Sequence, residues 1–241
     1  MSRDITPDVQ MIRLFLTEPH PCSYLEDKEA TTAFVEPGLE IDPHLYSQLS
    51  DMGFRRSGRY VYVPRCEACN ACIPARLVVK DFKPTRQQRR CANKNHDLNV
   101  WVTTSIDEAE HYPLYERYIN ERHADGDMYP PSRSQFKDFI SNLWQNSKMI
   151  EIRDDDSKLI AAGVVDILDT GISAIYTYFS CDEAKRSLGT YTILAQIRLA
   201  KQMQLPYIYL GYWIKNSPKM AYKSNFRPLE VLKDSEWVLA D

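Results

Sequence analysis

Residues 148–214 of this 241-residue chain, KMIEIRDDDSKLIAAGVVDILDTGISAIYTYFSCDEAKRSLGTYTILAQIRLAKQMQLPYIYLGYWI, decide the fold. A long amphipathic stretch after Ser187 predicts a helix over 188–204 with one buried stripe, and Ser187 is its expected N-cap. The stretch after it predicts a strand over 207–214. Three earlier apolar runs, separated by the turn sequences DDDS and DTG, predict an antiparallel meander of strands over 148–153, 158–168 and 172–180.

Two helices precede this meander, and a helix and a strand close the chain. The first helix is predicted from Asp107 to His123 and the second from Ser134 to Trp144, capped by Ser132 or Ser134. The closing elements are predicted at 219–225 and 230–233. This order of elements resembles that of a GNAT-type acyltransferase domain, in which the fourth and fifth strands part and the gap admits the acyl donor.

The region before residue 97 is richer in proline and has shorter apolar runs. Strands at Tyr60–Pro64 and Ala75–Phe82 flank a loop with three cysteines, and a short helix begins at Asp42 and ends at Gly53. We therefore expect a small, cysteine-containing, β-rich module at 1–97 and a GNAT-like domain with a mixed, mostly antiparallel sheet at 98–241. The predicted fold class is α+β.

Positive charge is concentrated within 53–95, where eleven Lys and Arg residues face only two acidic residues, although the whole chain carries −3. Lys and Arg bind nucleic acid by releasing condensed counterions, so this stretch predicts a phosphate-binding surface. The alternative is a solvated face balanced by acidic residues elsewhere in the fold. The residues expected to contact tRNA phosphates are Arg55, Arg56, Arg86, Arg89, Arg90 and Lys94.

The cysteines are the second unusual feature of this region. Cys66, Cys69 and Cys72 have the spacing of a zinc knuckle, and Cys22 could complete four thiolates for Zn²⁺ or an iron–sulfur cluster. A chain with no metal is an equally weighted alternative. The acidic N-terminus lacks the pattern of an export signal, and no apolar run approaches the roughly 20 residues of a membrane span. We expect a soluble, cytoplasmic protein with no membrane partner.

The sequence KRSLGT at 185–190 lies at the corner where GNAT acetyltransferases hold the pyrophosphate of coenzyme A. That site has the pattern Arg/Gln-x-x-Gly-x-Gly/Ala, because small residues let backbone N–H groups approach the phosphate. Arg186 and Gly189 match the pattern, but Tyr191 replaces its last small residue. Coenzyme A is therefore disfavoured, and no organic cofactor is expected. The corner could hold a tRNA 3′-end phosphate or could be only a capped helix start.

A set of motifs resembles the bacterial aspartate/glutamate leucyltransferase family, whose relatives are the eukaryotic arginyl-tRNA–protein transferases. The motifs follow the family order over nearly the whole chain. They are PCSYL (21–25), GFRRSG (53–58), CEACNACIPAR (66–76), FKPTRQQRR (82–90), RHADGDMYPP (122–131), AIYTYF (174–179), SLGTY (187–191), YLGYWI (209–214) and KMAYKSNFRPLE (219–230).

The resemblance implies an aminoacyltransferase of the N-end rule. Such an enzyme moves leucine from leucyl-tRNA to the α-amino group of a protein that begins with Asp or Glu, which marks that protein for degradation. The alternatives are an arginyl-tRNA donor on the same fold, an acyl-CoA-dependent GNAT acetyltransferase, and a noncatalytic RNA-binding protein with a zinc knuckle. Leu25 and Ala71 stand where the eukaryotic relatives carry cysteines, which puts the metal in doubt.

Several residues within and near these motifs are candidates for the site. Lys219 and Lys223 are four residues apart on a predicted helix, so one face would present both to the acceptor's acidic side chain. Asp166, inside an apolar strand, is either a base or a buried structural carboxylate. The candidates for catalysis are Tyr176, Asp166 and Tyr212, and those for substrate binding are Lys219, Lys223, Tyr222, Tyr178 and Arg122.

Overall fold

A computed structural model describes residues 12–240 of the protein. The strands are β1 (Leu14–Leu16), β2 (His20–Pro21), β3 (Glu29–Ala30), β4 (Thr32–Val35), β5 (Arg55–Ser57), β6 (Tyr60–Pro64), β7 (Ile73–Val78), β8 (Asn99–Thr103), β9 (Ser147–Arg153), β10 (Leu159–Ile167), β11 (Gly171–Phe179), β12 (Tyr207–Trp213), β13 (Leu229–Lys233) and β14 (Glu236–Leu239). The α-helices are α1 (Pro43–Asp51), α2 (Arg86–Lys94), α3 (Glu108–Arg122), α4 (Arg133–Phe136), α5 (Leu188–Gln202) and α6 (Pro218–Ala221).

The largest sheet has the strand order β14-β13-β7-β12-β11-β10-β9-β8. β9, β10 and β11 form the predicted antiparallel meander, and α5 leads from β11 to β12, which runs parallel to β11. The prediction of an α+β fold with a mixed, mostly antiparallel sheet is confirmed. Two further sheets, β1-β4-β6-β5 and β2-β3, belong to the N-terminal region.

The strand β7 joins the two halves of the chain. It lies before residue 97, yet it pairs with β12 and β13 inside the large sheet, and Leu77 is fully buried there. The N-terminal sheet packs on the same structure through a shared core that includes Tyr46, Leu49 and Tyr209. Residue 97 therefore does not mark a boundary between the sheets. The sequence does not reveal this, because a short apolar strand is compatible with pairing in either sheet.

Local capping signals explain where several helices begin. The Asp42 carboxylate accepts a hydrogen bond from the Leu45 N–H at 2.7 Å, and Pro43 occupies the first turn of α1, as predicted. Asp107 caps α3 and Ser132 caps α4 in the same way. Helix α2 begins with a capping box in which Thr85 and Gln88 bond to each other's backbone N–H groups.

Ser187 occupies the N-cap position of α5, as predicted, but it adopts a left-handed conformation (φ 54°) and its side chain makes no cap bond. Two other helix predictions are wrong. The helix expected over 134–144 is one α-turn, α4, followed by a π-helical turn at Lys137–Ser141. The helix expected over 219–225 changes after α6 into a 3₁₀ turn at Tyr222–Asn225. Because 3₁₀ geometry has three residues per turn, residues four apart no longer share a face there.

No helix within residues 12–240 combines the length and apolarity that a membrane span requires.

Candidate active site

The strands β11 and β12 part and leave a cleft between them. Their parallel pairing joins Gly171–Ser173 to Tyr207–Tyr209 and does not continue beyond these residues. On its other edge β12 has an irregular register with β7 between Tyr209 and Gly211, where Gly211 has a φ of +80°. This bulge turns β12 away from β11 and opens the sheet at its centre.

The guanidinium of Arg55 lies at the point where the strands separate. Its Nη1 donates a hydrogen bond to Ser173 Oγ at 2.8 Å, and its Nη2 donates to the Ala174 carbonyl of β11. Towards β12, Nη1 lies 3.5 Å from the Tyr209 carbonyl, and a Cβ added to Gly211 would lie 3.4 Å from Arg55 Nε. Arg55 therefore takes up carbonyl groups that lose their strand partners at the split.

Lys223 is a second buried cation in this cleft. Its Nζ donates to the Tyr212 carbonyl at 2.7 Å, and only 3% of the residue is exposed. Burial, together with the positive charge of Arg55, lowers the pKa of Lys223 to about 7. Among the described residues, neither Arg55 nor Lys223 forms an ion pair with a carboxylate.

Tyr176 and Tyr212 lie on the two strands that flank the cleft. The Tyr212 hydroxyl donates to the Gly53 carbonyl at 2.9 Å, and its ring packs against Tyr62. On the opposite strand Tyr176 packs against Tyr118 and Phe139. Burial raises the pKa of Tyr176 and of Tyr212 well above the ordinary range. Both phenols therefore stay protonated at neutral pH and are suited to donate hydrogen bonds rather than to accept a proton.

Asp166 lies in the core and not in the cleft. Its carboxylate accepts hydrogen bonds from Arg56 Nε at 2.7 Å, from Arg56 Nη2 at 2.8 Å and from Ser147 Oγ at 2.5 Å, and the residue is fully buried. The prediction of a base at Asp166 is wrong, and its structural alternative is correct. The phosphate-binding role predicted for Arg56 is wrong for the same reason, since its charge is already paired inside the protein.

Tyr178 is also a core residue. Its hydroxyl hydrogen-bonds to His111 Nδ1 at 2.6 Å, and His111 Nε2 lies 3.1 Å from a Glu151 carboxylate oxygen. Both Tyr178 and His111 are fully buried, and burial lowers the pKa of His111. The expectation that Tyr178 lines the substrate pocket is therefore wrong, because the residue is fully buried and its hydroxyl is held by His111.

The other predicted substrate-binding residues differ in exposure. Lys219 is exposed and pairs with Asp125 at 2.7 Å, whereas Lys223 is buried, so the two lysines do not share a face. Nearby, Ser23 donates a short hydrogen bond to Asp127. Tyr222 is 43% exposed. The loop that follows α3 thus contacts both the N-terminal region and the C-terminal region.

Helix α2 presents the exposed part of the basic stretch. Arg86, Arg89, Arg90 and Lys94 are exposed along it, whereas Arg55 and Arg56 are buried, so the expectation of one continuous six-residue surface is wrong. Asn95, at the C-terminal end of α2, donates to the Arg186 carbonyl at 2.9 Å. The basic helix is thereby fixed beside the start of α5.

The corner that precedes α5 is closely packed. A Cβ added to Gly189 would lie 3.2 Å from the Phe179 ring, and the guanidinium of Arg122 lies 5.4 Å from the centre of that ring. Arg186 is held in an ion pair with Asp97 at 2.9 Å. At this corner the charge of Arg186 is therefore paired within the protein, whereas Arg122 is exposed.

Four half-buried free thiols, those of Cys22, Cys66, Cys69 and Cys72, lie near one another. Burial, and then the negative charges of the other three thiolates, raise the pKa of Cys72 to about 12. Within residues 12–240, however, no three His, Cys, Asp or Glu side chains are placed as a group that could hold a metal ion. The thiols are thus neighbours without forming a preformed metal site.

The cleft position of Arg55 was missed from the sequence. Successive residues of a strand point to opposite faces, so Arg55 and Arg56 could not both belong to one phosphate-binding surface. The buried carboxylate predicted at Asp166 also required a cation, and the RR pair of GFRRSG contained it. These two signals together would have indicated that one arginine pairs with Asp166 and the other faces elsewhere.

A mixed sheet that opens between two parallel strands joined by a helix is the arrangement of a GNAT-like fold. Two sequence models of the arginine-tRNA-protein transferase family match the chain, that of the N terminus at residues 20–90 and that of the C terminus at residues 110–233. The chain therefore belongs to this family, and it is an aminoacyltransferase.

Its curated relatives are named aspartate/glutamate leucyltransferases. The protein of Saccharophagus degradans is 50% identical over 96% of this chain and 98% of its own length. That of Teredinibacter turnerae is 52% identical over 95% of both chains, and that of Marinobacter nauticus is 50% identical over 95% of this chain and 97% of its own. This similarity extends over both halves of the chain.

Among solved structures, that of L-PGS from Bacillus licheniformis superposes with a TM-score of 0.49 at 10% identity, covering 84% of this chain and 69% of that one. A likeness this distant supports no statement about function.

Proposed function

We propose that this enzyme transfers leucine from leucyl-tRNA to the α-amino group of proteins that begin with Asp or Glu, and so marks them for degradation. The relatives that share about half of its residues over nearly the full length are named aspartate/glutamate leucyltransferases. The observation that carries the proposal is the opening between β11 and β12, with the exposed basic helix α2 fixed beside the start of α5. A cytoplasmic location belongs to the same proposal.

The reaction balances without a further reactant. The acceptor's amine attacks the ester carbonyl, a C–N bond forms, and the C–O bond to the ribose breaks. The proton that the amine loses ends on the ribose oxygen. An α-amino group has a pKa of about 7.7–8.0, so a useful fraction is already the free nucleophile at neutral pH. Because the phenol of Tyr176 stays protonated, Tyr176 would act by hydrogen bonding to substrate and oxyanion, while the cleft aligns amine and ester. The single O–H of Tyr212 already donates to the Gly53 carbonyl, so Tyr212 would act by placing its ring beside the substrate.

For the donor, we propose that Arg86, Arg89, Arg90 and Lys94 bind tRNA phosphates. Each phosphate contact adds about 0.7–0.9 to the slope of log K against log salt. Reversal of Arg89 and Arg90 to Glu should therefore weaken leucyl-tRNA binding and reduce that slope by about 1.5. The control is Arg117→Glu on α3, whose guanidinium is exposed and pairs with Glu121 and Asp182. An unchanged slope in the double variant would exclude this surface.

For the acceptor, we propose that Lys223 lies at the transfer site, with Tyr222, Lys219 and Arg122 around its mouth. Lys219 could meet an acidic acceptor only if it exchanged its Asp125 partner. Lys219→Ala would then lower transfer to Asp-starting peptides more than to Ala-starting peptides. Equal transfer of both by variant and wild type would remove Lys219 from the acceptor site.

For the thiols, we propose that Cys22, Cys66, Cys69 and Cys72 take up Zn²⁺ or an iron–sulfur cluster. Four neighbouring thiols are a suitable donor set for such a group, and the raised pKa of Cys72 means that four thiolates together would need a cation. The group would cross-link the β2–β3 hairpin to the loop before β7. Metal analysis of anaerobically purified protein, with Cys91→Ser as the control and Cys69→Ser as the test, should find the metal in the former only.

The function is tested by mixing radiolabelled Leu-tRNA or Arg-tRNA with peptides that start with Asp, Glu, Lys or Ala. We expect leucine on the Asp and Glu peptides alone. Transfer of arginine instead would identify the arginyl donor, and acetylation from acetyl-CoA would identify a GNAT acetyltransferase. If no aminoacyl-tRNA gives a new amide bond, the proposed function is wrong.

A further inference from the structure

Two adjacent arginines in β5 differ in how their charge is compensated. Arg56 uses its Nε–H and Nη2–H edge to bind both oxygens of Asp166, at 2.7 and 2.8 Å. Arg55 is nearly as buried, at 8% exposure against 4%, yet it contacts only neutral oxygens. A buried cation without an anion is costly, so the free protein leaves a favourable position for a negative group beside Arg55.

The unused donors of Arg55 fit a carboxylate. A guanidinium has five N–H groups, and the described contacts occupy three of them, on Ser173 Oγ, Ala174 O and Tyr209 O. The Nε–H and one Nη2–H have no acceptor among residues 12–240. This is the edge that Arg56 offers to Asp166, and a carboxylate binds such an edge with two parallel hydrogen bonds.

The surroundings of Arg55 add positive charge rather than remove it. Lys223 donates to the carbonyl of Tyr212, the residue that follows the Gly211 beside Arg55, and the charge of Arg55 adds to burial in lowering the pKa of Lys223. The other ionisable neighbours are the phenols of Tyr62 and Tyr212 and the thiol of Cys72, whose pKa burial raises. The place that these groups surround is the apex of the cleft. An anion there is expected to come from a substrate.

We propose that Arg55, assisted by Lys223, binds the side-chain carboxylate of the acceptor's first residue and thereby selects Asp and Glu. This inference rests on the proposed function. The short side chains of Asp and Glu hold the carboxylate within a few bonds of the α-amine, so anchoring it at the apex puts the amine inside the cleft. Gly211 belongs to the same arrangement, because its φ of +80° disfavours a side chain and an added Cβ would contact Arg55 Nε at 3.4 Å.

The experiment measures kcat/KM for leucine transfer to matched peptides that differ only in the first residue, Asp against Asn and Glu against Gln. Wild type should prefer the acids. In Arg55→Gln the value for the Asp peptide should fall about 100-fold, as expected for loss of a charged hydrogen bond, while the value for the Asn peptide changes less than about 3-fold. Arg55→Lys, which keeps the charge but not the fork, should fall between. Arg117→Gln is the control and should keep the wild-type ratio.

The outcomes separate the two proposals. A wild type that transfers no leucine to any peptide contradicts the proposed function. An active wild type, with a folded Arg55→Gln that keeps its Asp-to-Asn ratio, overturns the role of Arg55. That role is also overturned if Arg55→Gln loses affinity for leucyl-tRNA and transfers equally poorly to every peptide, since Arg55 would then serve the donor phosphate. If Arg55→Gln does not fold, Lys223→Met takes its place, and an unchanged ratio there also counts against the carboxylate site.

Discussion

Arg55 and Arg56 are adjacent in β5, but the surroundings of their guanidinium groups differ. Arg56 meets Asp166 and Ser147 in a closed network, and its charge fastens β5 to β10. Arg55 meets carbonyl and hydroxyl oxygens where β11 and β12 separate, and it keeps unused donors. A compensated charge in the interior stabilises the free protein, whereas an uncompensated one beside a cleft is available to a ligand.

The largest effect is expected when the compensated pair is broken. Arg56→Met leaves the Asp166 carboxylate buried without its cation, and the free energy of unfolding should fall by about 3–5 kcal/mol. Urea unfolding measures this loss. Arg56→Met combined with Asp166→Leu should recover most of it, because no buried charge then remains. A loss in the single variant no larger than that of Arg55→Met would contradict the distinction between the two arginines.

The next effect concerns the uncompensated cation Lys223 and depends on pH. Burial and Arg55 hold the pKa of Lys223 at about 7, but an unfolded lysine titrates near 10.4. Between these values the unfolded chain binds a proton that the folded chain lacks, so stability should rise with pH by up to about 1.4 kcal/mol per unit. Lys223→Met should remove that slope and gain most at and below about pH 7.

The control for this comparison is Lys219→Met, because Lys219 is exposed and paired with Asp125. Urea unfolding of all three proteins from pH 6 to pH 9 gives the slopes. If Lys219→Met flattened the pH profile as much as Lys223→Met, the burial of Lys223 would not be the cause.

A smaller effect is expected at Gly211, which lies beside the unpaired guanidinium of Arg55. Gly211→Ala introduces a Cβ 3.4 Å from Arg55 Nε at a left-handed φ of +80°, and should cost about 1–2 kcal/mol of stability and lower leucine transfer. The matched control is Gly38→Ala, which has a φ of +97° and nothing within 4 Å of the added Cβ. Gly38→Ala should lose stability from backbone strain alone and keep full transfer activity. Equal activity in the two variants would argue against the contact with Arg55.

The smallest effect is expected at the exposed pair of Lys219 and Asp125. Its partners are 42% and 72% exposed, so water and salt screen the attraction. The thermal midpoints of Asp125→Asn and wild type should coincide within error, at low salt as at high salt. A clear drop in the midpoint would mean that this surface pair supports the fold as the buried pair does.

The elements that the sequence predicted well are those with strong local signals. The meander β9–β11 and helix α1 follow their predicted bounds within a few residues, because turn sequences and caps mark their ends. Helix α2 was missed, since its nine residues bury only Gln88 and Cys91 and give no apolar period. Its capping box, Thr85 with Gln88, was present in the sequence but stood beside an arginine run that was interpreted by its charge alone.

The sequence by itself determined the helices and strands with clear local signals, the cysteine spacing and the family, because these depend on local pattern and on motif order. Only the tertiary structure decided which charged groups are buried and which partners they have. Asp166 lies 110 positions from Arg56, and Ala174 lies 119 positions from Arg55, so neither partner could be inferred from neighbouring residues. The place of β7 in the large sheet and the separation of Lys219 from Lys223 were decided in the same way. Burial and counterions are set by chain segments that meet only on folding.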